Sequence, residues 1–224
     1  MSRAVKKAVF PITAAAMVIF GAALLDGRHY TLVSLLVVSA SCVGFVCTIE
    51  RRELTSRYAA LTAVMTALSV AGRFIFAPVP AFKPVTALVI ISGVYLSAEA
   101  GFLTGAMTAL ISNIYFGHGA WTPFQMLAWG LIGLTAGFLS ERLKKNRLLL
   151  LVFGAFAGAL YSLIMDAWTV LWYSGGPDVA LYKAAVISSL PFTAVYAVSN
   201  VIFLLFLGKS FGRKLSRAVT LIER

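Results

Sequence analysis

Four polar side chains interrupt apolar runs that otherwise hold very few: Arg73, Asn113, Gln125 and Asp166. Together they cover both halves of hydrogen-bond recognition. Arginine only donates, an ionised carboxylate only accepts, and the two amides do both. Tryptophans accompany them at helical spacing. Trp121, Gln125 and Trp129 fall at i, i+4 and i+8, one stripe of a helix, and Trp168 and Trp172 repeat the interval. Flat apolar rings with a few convergent polar groups suit the binding of a small molecule. They do not make a reaction centre. The two histidines, His29 and His118, are far apart, and Cys42 and Cys47 share one apolar run without ligand neighbours. A single buried Asp completes no nucleophile–base or metal constellation. The expectation is a binding protein without enzymatic activity, cofactor or metal.

Several of these residues have a second reading. Tryptophan and tyrosine form belts at membrane interfaces, which accounts for Trp121, Trp172 and Tyr173 as well as a ligand does. The segment "TPFQ" also reads as a capping box, with Thr122 as N-cap, Pro123 at the first helical position and Gln125 reaching back. Arg73 and Asp166 either contact a ligand or pair with each other. His118, between Gly117 and Gly119, reads as solvated, and Asn200 as a helix–helix hydrogen bond.

The elements that position these groups are membrane helices. The 224 residues are 60% hydrophobic and 12% charged, and about 20 consecutive apolar residues cross a bilayer core. The apolar runs predict eight spans, at 9–25, 30–48, 57–77, 84–99, 101–116, 121–139, 147–172 and 184–207. The weakest pair is the 84–116 hairpin, whose arms are short. With the N-terminus inside, 15 of the 19 lysines and arginines fall on the cytoplasmic side. That asymmetry places both termini in the cytoplasm. It also assigns the net charge of +11 to topology rather than to nucleic acid. In this frame Arg73, Asn113, Gln125 and Asp166 all lie toward the outer ends of their helices. A continuous ion path needs polar groups at every depth, whereas a one-sided pocket does not. The outer loop "FIFAPVPAFKP", with Phe82 and three prolines, is either a lid over that pocket or a plain connector.

A second feature lies on the third span. Ala59, Ala63 and Ala67 repeat every four residues and lay a smooth stripe along one face. In lipid, such stripes allow close helix–helix approach. Gly130, Gly133 and Gly137 stud the sixth span in a similar way.

Over residues 55–210 the chain resembles the substrate-binding (S) components of energy-coupling factor (ECF) transporters, vitamin importers of bacteria and archaea. The resemblance rests on Ala59-xxx-Ala63, on "GRFIFAPVPAFKPVTALVIISGVYLSAEAGFLTGAMTALISN" and on "GHGAWTPFQMLAWGLIGLTAG". It implies an all-α integral membrane protein with a six-helix bundle, whose outward-facing vitamin pocket is closed by outer loops. Two extra N-terminal transmembrane helices, residues 1–54, precede that bundle, and a basic cytoplasmic tail, 211–224, follows it. Arg73, Phe82, Asn113, Trp121, Gln125, Trp129, Asp166 and Trp172 are the candidate substrate-binding residues. By resemblance, Ala59, Ala63 and Ala67 dock a transmembrane coupling subunit, which works with two ATP-binding subunits in the bacterial cytoplasmic membrane. The chain contains no G-x-x-x-x-G-K-[ST] phosphate loop, so ATP hydrolysis falls to those partners. The "W-T-P-F-Q" segment suggests a corrinoid or cobalamin precursor, with riboflavin, pantothenate or another vitamin as alternatives. A stand-alone secondary transporter is the rival from another class. It calls for an inverted repeat and polar groups across the midplane, and neither is evident.

Overall fold

A computed structural model of the chain describes residues 56–222, with side chains from 58 to 221. The spans expected at 9–25 and 30–48 lie outside the described residues. Within them the fold is all helical: α1 (Ser56–Ile75), α2 (Val85–Tyr95), α3 (Ala98–Phe116), α4 (Trp121–Phe138), α5 (Ser140–Lys145), α6 (Arg147–Ser174) and α7 (Val179–Ile222). By length and composition, Tyr58–Ile75, Arg147–Ser174 and Val179–Leu221 suffice to cross a membrane.

Local chemistry explains several boundaries. Ser97 caps α3 by accepting from the Ala100 N–H at 3.0 Å. Asn146 caps α6 by accepting from the Leu149 N–H at 3.1 Å. Each cap satisfies one of the backbone donors left free at a helix start. Gly175, at φ 71°, takes the left-handed conformation that ends α6.

Two spans differ from expectation. The run at 84–99 yields only the 11-residue α2. At 1.5 Å per residue it covers about 16 Å, roughly half of a bilayer core. Every residue from Val85 to Val94 is buried. α2 is thus the apolar centre of the bundle rather than a lipid-facing span, which is why its sequence is hydrophobic all round. The span expected at 184–207 instead belongs to the 44-residue α7. Its distal part stays helical because Leu215 is buried in the core and Gly212 packs on the Tyr95 ring.

Where α3 and α4 cross, the backbones touch. A Cβ added at Gly133 would collide with the Gly101 carbonyl, and one at Gly101 would collide with Gly133. Only glycine at both positions permits that separation. The contact fixes α4 against α3, and with it the depth at which their polar residues meet.

Candidate functional site

At one end of this helix contact lies a continuous polar cluster. Arg73, near the end of α1, is buried with 9% of its surface exposed. Its Nη1 donates to Ser112 Oγ and, at 2.8 Å, to Asn113 Oδ1. Asn113, fully buried on α3, donates through Nδ2 to Thr122 Oγ1 and Gln125 Oε1 on α4, both at 2.9 Å. Gln125 Nε2 then donates to the Tyr161 hydroxyl on α6 at 3.0 Å. Four helices are therefore tied together by one chain of side-chain hydrogen bonds. In a medium without water each link removes the desolvation cost of an unpaired polar group.

Aromatic rings enclose that chain. The Trp129 indole stacks on Tyr161 with centroids 5.1 Å apart and planes 8° from parallel. Tyr196 of α7 meets Tyr161 edge-on at 5.2 Å. The Arg73 guanidinium lies 4.6 Å from the Phe116 centroid and 5.3 Å from that of Trp129. These are cation–π distances, and they offset part of the cost of a buried charge. Trp129 is 5% exposed, and its Nε1 has no hydrogen-bond partner among the described residues.

The loop joining α1 to α2 is fastened over one side of the bundle. Lys83 N–H donates to Ser199 Oγ at 3.0 Å, and the Ser199 hydroxyl donates back to the Lys83 carbonyl at 3.1 Å. Phe76 and Phe82 pack on Phe203 of α7, each at 5.1 Å between centroids. Ala81 adopts φ 59°, a conformation unusual for a residue with a Cβ. The Lys83 ammonium sits 5.8 Å from the same Phe116 ring that Arg73 faces. Burial, and secondarily the Arg73 charge, lower its pKa below the usual lysine value.

Of the eight residues named from the sequence, Arg73, Asn113, Gln125 and Trp129 come together in this cluster. Phe82 lies in the loop packed on α7. Trp121 and Trp172 belong to a different group, built on Trp168: Trp121 meets it edge-on at 5.8 Å and Trp172 stacks on it at 6.1 Å. Trp172 is 53% exposed, as a belt residue is. Asp166 does not pair with Arg73. It accepts from Ser189 Oγ of α7 at 2.6 Å, and Arg73 spends its bonds on Ser112 and Asn113. The capping box at "TPFQ" does not form either. α4 starts at Trp121, Ala120 makes no side-chain cap, and Gln125 turns inward to Asn113 and Tyr161. Asn200 does make the expected interhelical bond, donating to the Gly154 carbonyl at 3.0 Å.

Tyr161, Tyr196, Ser112 and Lys83 are cluster members that sequence reasoning passed over. Tyr161 carried a usable signal, a phenol deep inside the long apolar run of α6. Ser112 and Lys83 carried little, because a serine beside an asparagine or a loop lysine is ordinary in any sequence.

The alanine stripe lies on another face. Ala59, Ala63 and Ala67 are exposed and line a groove of about 520 Å³, closed on the other side by Leu103, Met107 and Ile111 of α3. The groove is almost wholly apolar.

A family model described as ECF-type riboflavin transporter, S component, matches residues 53–213. No curated protein and no solved structure matches.

Proposed function

The chain belongs to the S-component family of ECF-type transporters, and on that premise we propose that it captures a vitamin with a flat ring system at the outer Arg73–Trp129–Tyr161 cluster. The observation that carries this reading is the hydrogen-bonded chain from Arg73 through Asn113 and Gln125 to Tyr161, lying beside the Trp129–Tyr161 stack. Fixed donors and acceptors next to broad aromatic faces can orient a conjugated ring by its edge and hold it by its plane. The loop bearing Phe82 and Lys83 serves as the lid, and the Ser199 hydroxyl is its latch. Asp166 and the Trp121–Trp168–Trp172 group flank the cluster.

Two ring systems fit this reading. The "WTPFQ" segment suggests a corrinoid, and the family description names riboflavin. A thermal-shift screen of the purified chain against B vitamins and corrinoids separates them. Stabilisation by one flat-ring vitamin is expected, and its absence throughout the screen would remove the reading.

The alanine groove supports docking of a transmembrane coupling subunit. A smooth apolar channel of this kind accepts a helix of a membrane partner at close range. Two ATP-binding subunits complete the importer, and both termini of this chain face the cytoplasm. Uptake is expected only when the full assembly is reconstituted with ATP. Uptake by this chain alone in ATP-depleted vesicles would instead favour a secondary transporter.

A further inference from the structure

Two cations converge on one ring without an acid to neutralise them. Arg73 and Lys83 lie 4.6 Å and 5.8 Å from the centroid of Phe116. Among the described residues no carboxylate comes within ion-pair distance of either, and Asp166, the acid that the sequence offered as a partner for Arg73, is engaged with Ser189. Arg73 is nine-tenths buried, yet only its Nη1 is hydrogen-bonded to protein. Of the five N–H donors of a guanidinium, the three on Nη2 and Nε have no acceptor among the described residues. The Trp129 Nε1–H, on the other ring that Arg73 faces, is buried and likewise without an acceptor among the described residues. The cluster therefore offers an excess of positive charge and of donors.

A packed interior rarely leaves such an imbalance. Ring faces and neutral oxygens offset part of the cost of a buried guanidinium, and a second cation nearby raises it again. The Lys83 backbone is fixed beside the cluster, because its N–H and carbonyl are both bonded to Ser199.

We infer that the ligand of this site carries an anionic group, a carboxylate or phosphate, received jointly by Arg73 and Lys83, with the Trp129 Nε1–H as an accessory donor. This inference rests on the vitamin-capture reading and adds the charge of the substrate to it. An anion here neutralises the pair and supplies the missing acceptors. A neutral ring of the same shape gains only the stack, and a cationic ligand is repelled.

The test uses matched pairs that differ only in the anion: nicotinate against nicotinamide, biotin against biotin amide, and riboflavin 5′-phosphate against riboflavin. Each is titrated into the purified full chain by calorimetry and by thermal shift. In the pair whose ring the site accepts, the anionic member binds at least about tenfold tighter, the scale expected for one charge-assisted contact. Lys83→Gln reduces that preference to within about threefold by weakening the anionic member more than the neutral one. Arg73→Lys keeps part of the preference, and Arg73→Gln abolishes it. Equal binding of both members of a pair, unaffected by Lys83→Gln, overturns the inference while leaving vitamin capture in place. If no member of any pair and no other vitamin shifts the melting, vitamin capture falls and the inference falls with it.

Discussion

The Trp129 indole lies flat on the Tyr161 ring, 5.1 Å between centroids and 8° from parallel, joining α4 to α6 at the depth of the buried Arg73. Parallel stacking sets the two rings face to face, so each holds the other in its rotamer. Gln125, one turn earlier on α4, ties the Tyr161 hydroxyl to the same wall. Ring and hydroxyl are thus both set by α4.

From this follows the effect of removing the ring. Trp129→Ala deletes the stack, one face of the Arg73 cation–π contact and a free N–H donor. Ligand affinity is expected to fall at least about tenfold, equivalent to roughly 1.4 kcal/mol. Because a large cavity in a core costs about 3–5 kcal/mol of stability, Trp129→Phe serves as the companion. It preserves a ring and lacks the donor, and a smaller loss of affinity is expected without a marked drop in melting temperature. Unchanged affinity in Trp129→Ala, Gln125→Ala and Asp166→Asn together would place the ligand elsewhere.

Asn200 supplies the contrast. Its bond to the Gly154 carbonyl joins α6 to α7 one turn beyond Tyr196. Interhelical hydrogen bonds in membranes average about 0.6 kcal/mol. Asn200→Ala is expected to lower the melting temperature slightly and leave ligand affinity as it was. A tenfold loss of affinity would show that the site extends to that level.

Gly133→Ala sets two effects of opposite sign against each other. Alanine gains about 1 kcal/mol of helix propensity over glycine. Its Cβ, however, would overlap the Gly101 carbonyl, a backbone atom that can yield only if α3 and α4 separate. The clash is expected to win, with a melting temperature well below that of the parent. A stabilised variant would show that the two helices are not held at this distance.

The alanine groove predicts a separation of binding from transport. Ala63→Trp fills an exposed groove on the α1–α3 face, away from Trp129 and Tyr161. Vitamin binding by the isolated chain is expected to survive, whereas co-purification with the coupling subunit and uptake fail. Normal uptake by Ala63→Trp and Ala59→Trp would overturn the docking role.

The basic asymmetry of the chain makes its topology a testable expectation. Lys144, on α5, and Asp178, before α7, are both exposed. Cysteines placed there, in a background lacking Cys42 and Cys47, are expected to react with an impermeant reagent from inside and outside, respectively. Labelling of position 144 in intact cells would invert the topology.

Most helix limits were legible in the sequence, because a bilayer converts length and hydrophobicity directly into structure. The expected runs at 57–77, 121–139 and 147–172 agree with α1, α4 and α6 to within two residues. A polar cluster near one end of the bundle was legible for the same reason: a charged or amide side chain in an apolar run stands out against its background. Which donor meets which acceptor was not. Arg73 and Asp166 looked like natural partners by charge, yet the rotation of α1 against α3 presents Arg73 to Ser112 and Asn113, while Asp166 faces Ser189 across the α6–α7 contact. Likewise "TPFQ" satisfies a local capping pattern, but the close Gly101–Gly133 approach brings Asn113 to Gln125 and draws it inward. Local pattern determines what a segment can form alone. Helix rotation and separation, decided by packing many residues away, determine which of its polar atoms are left for a ligand.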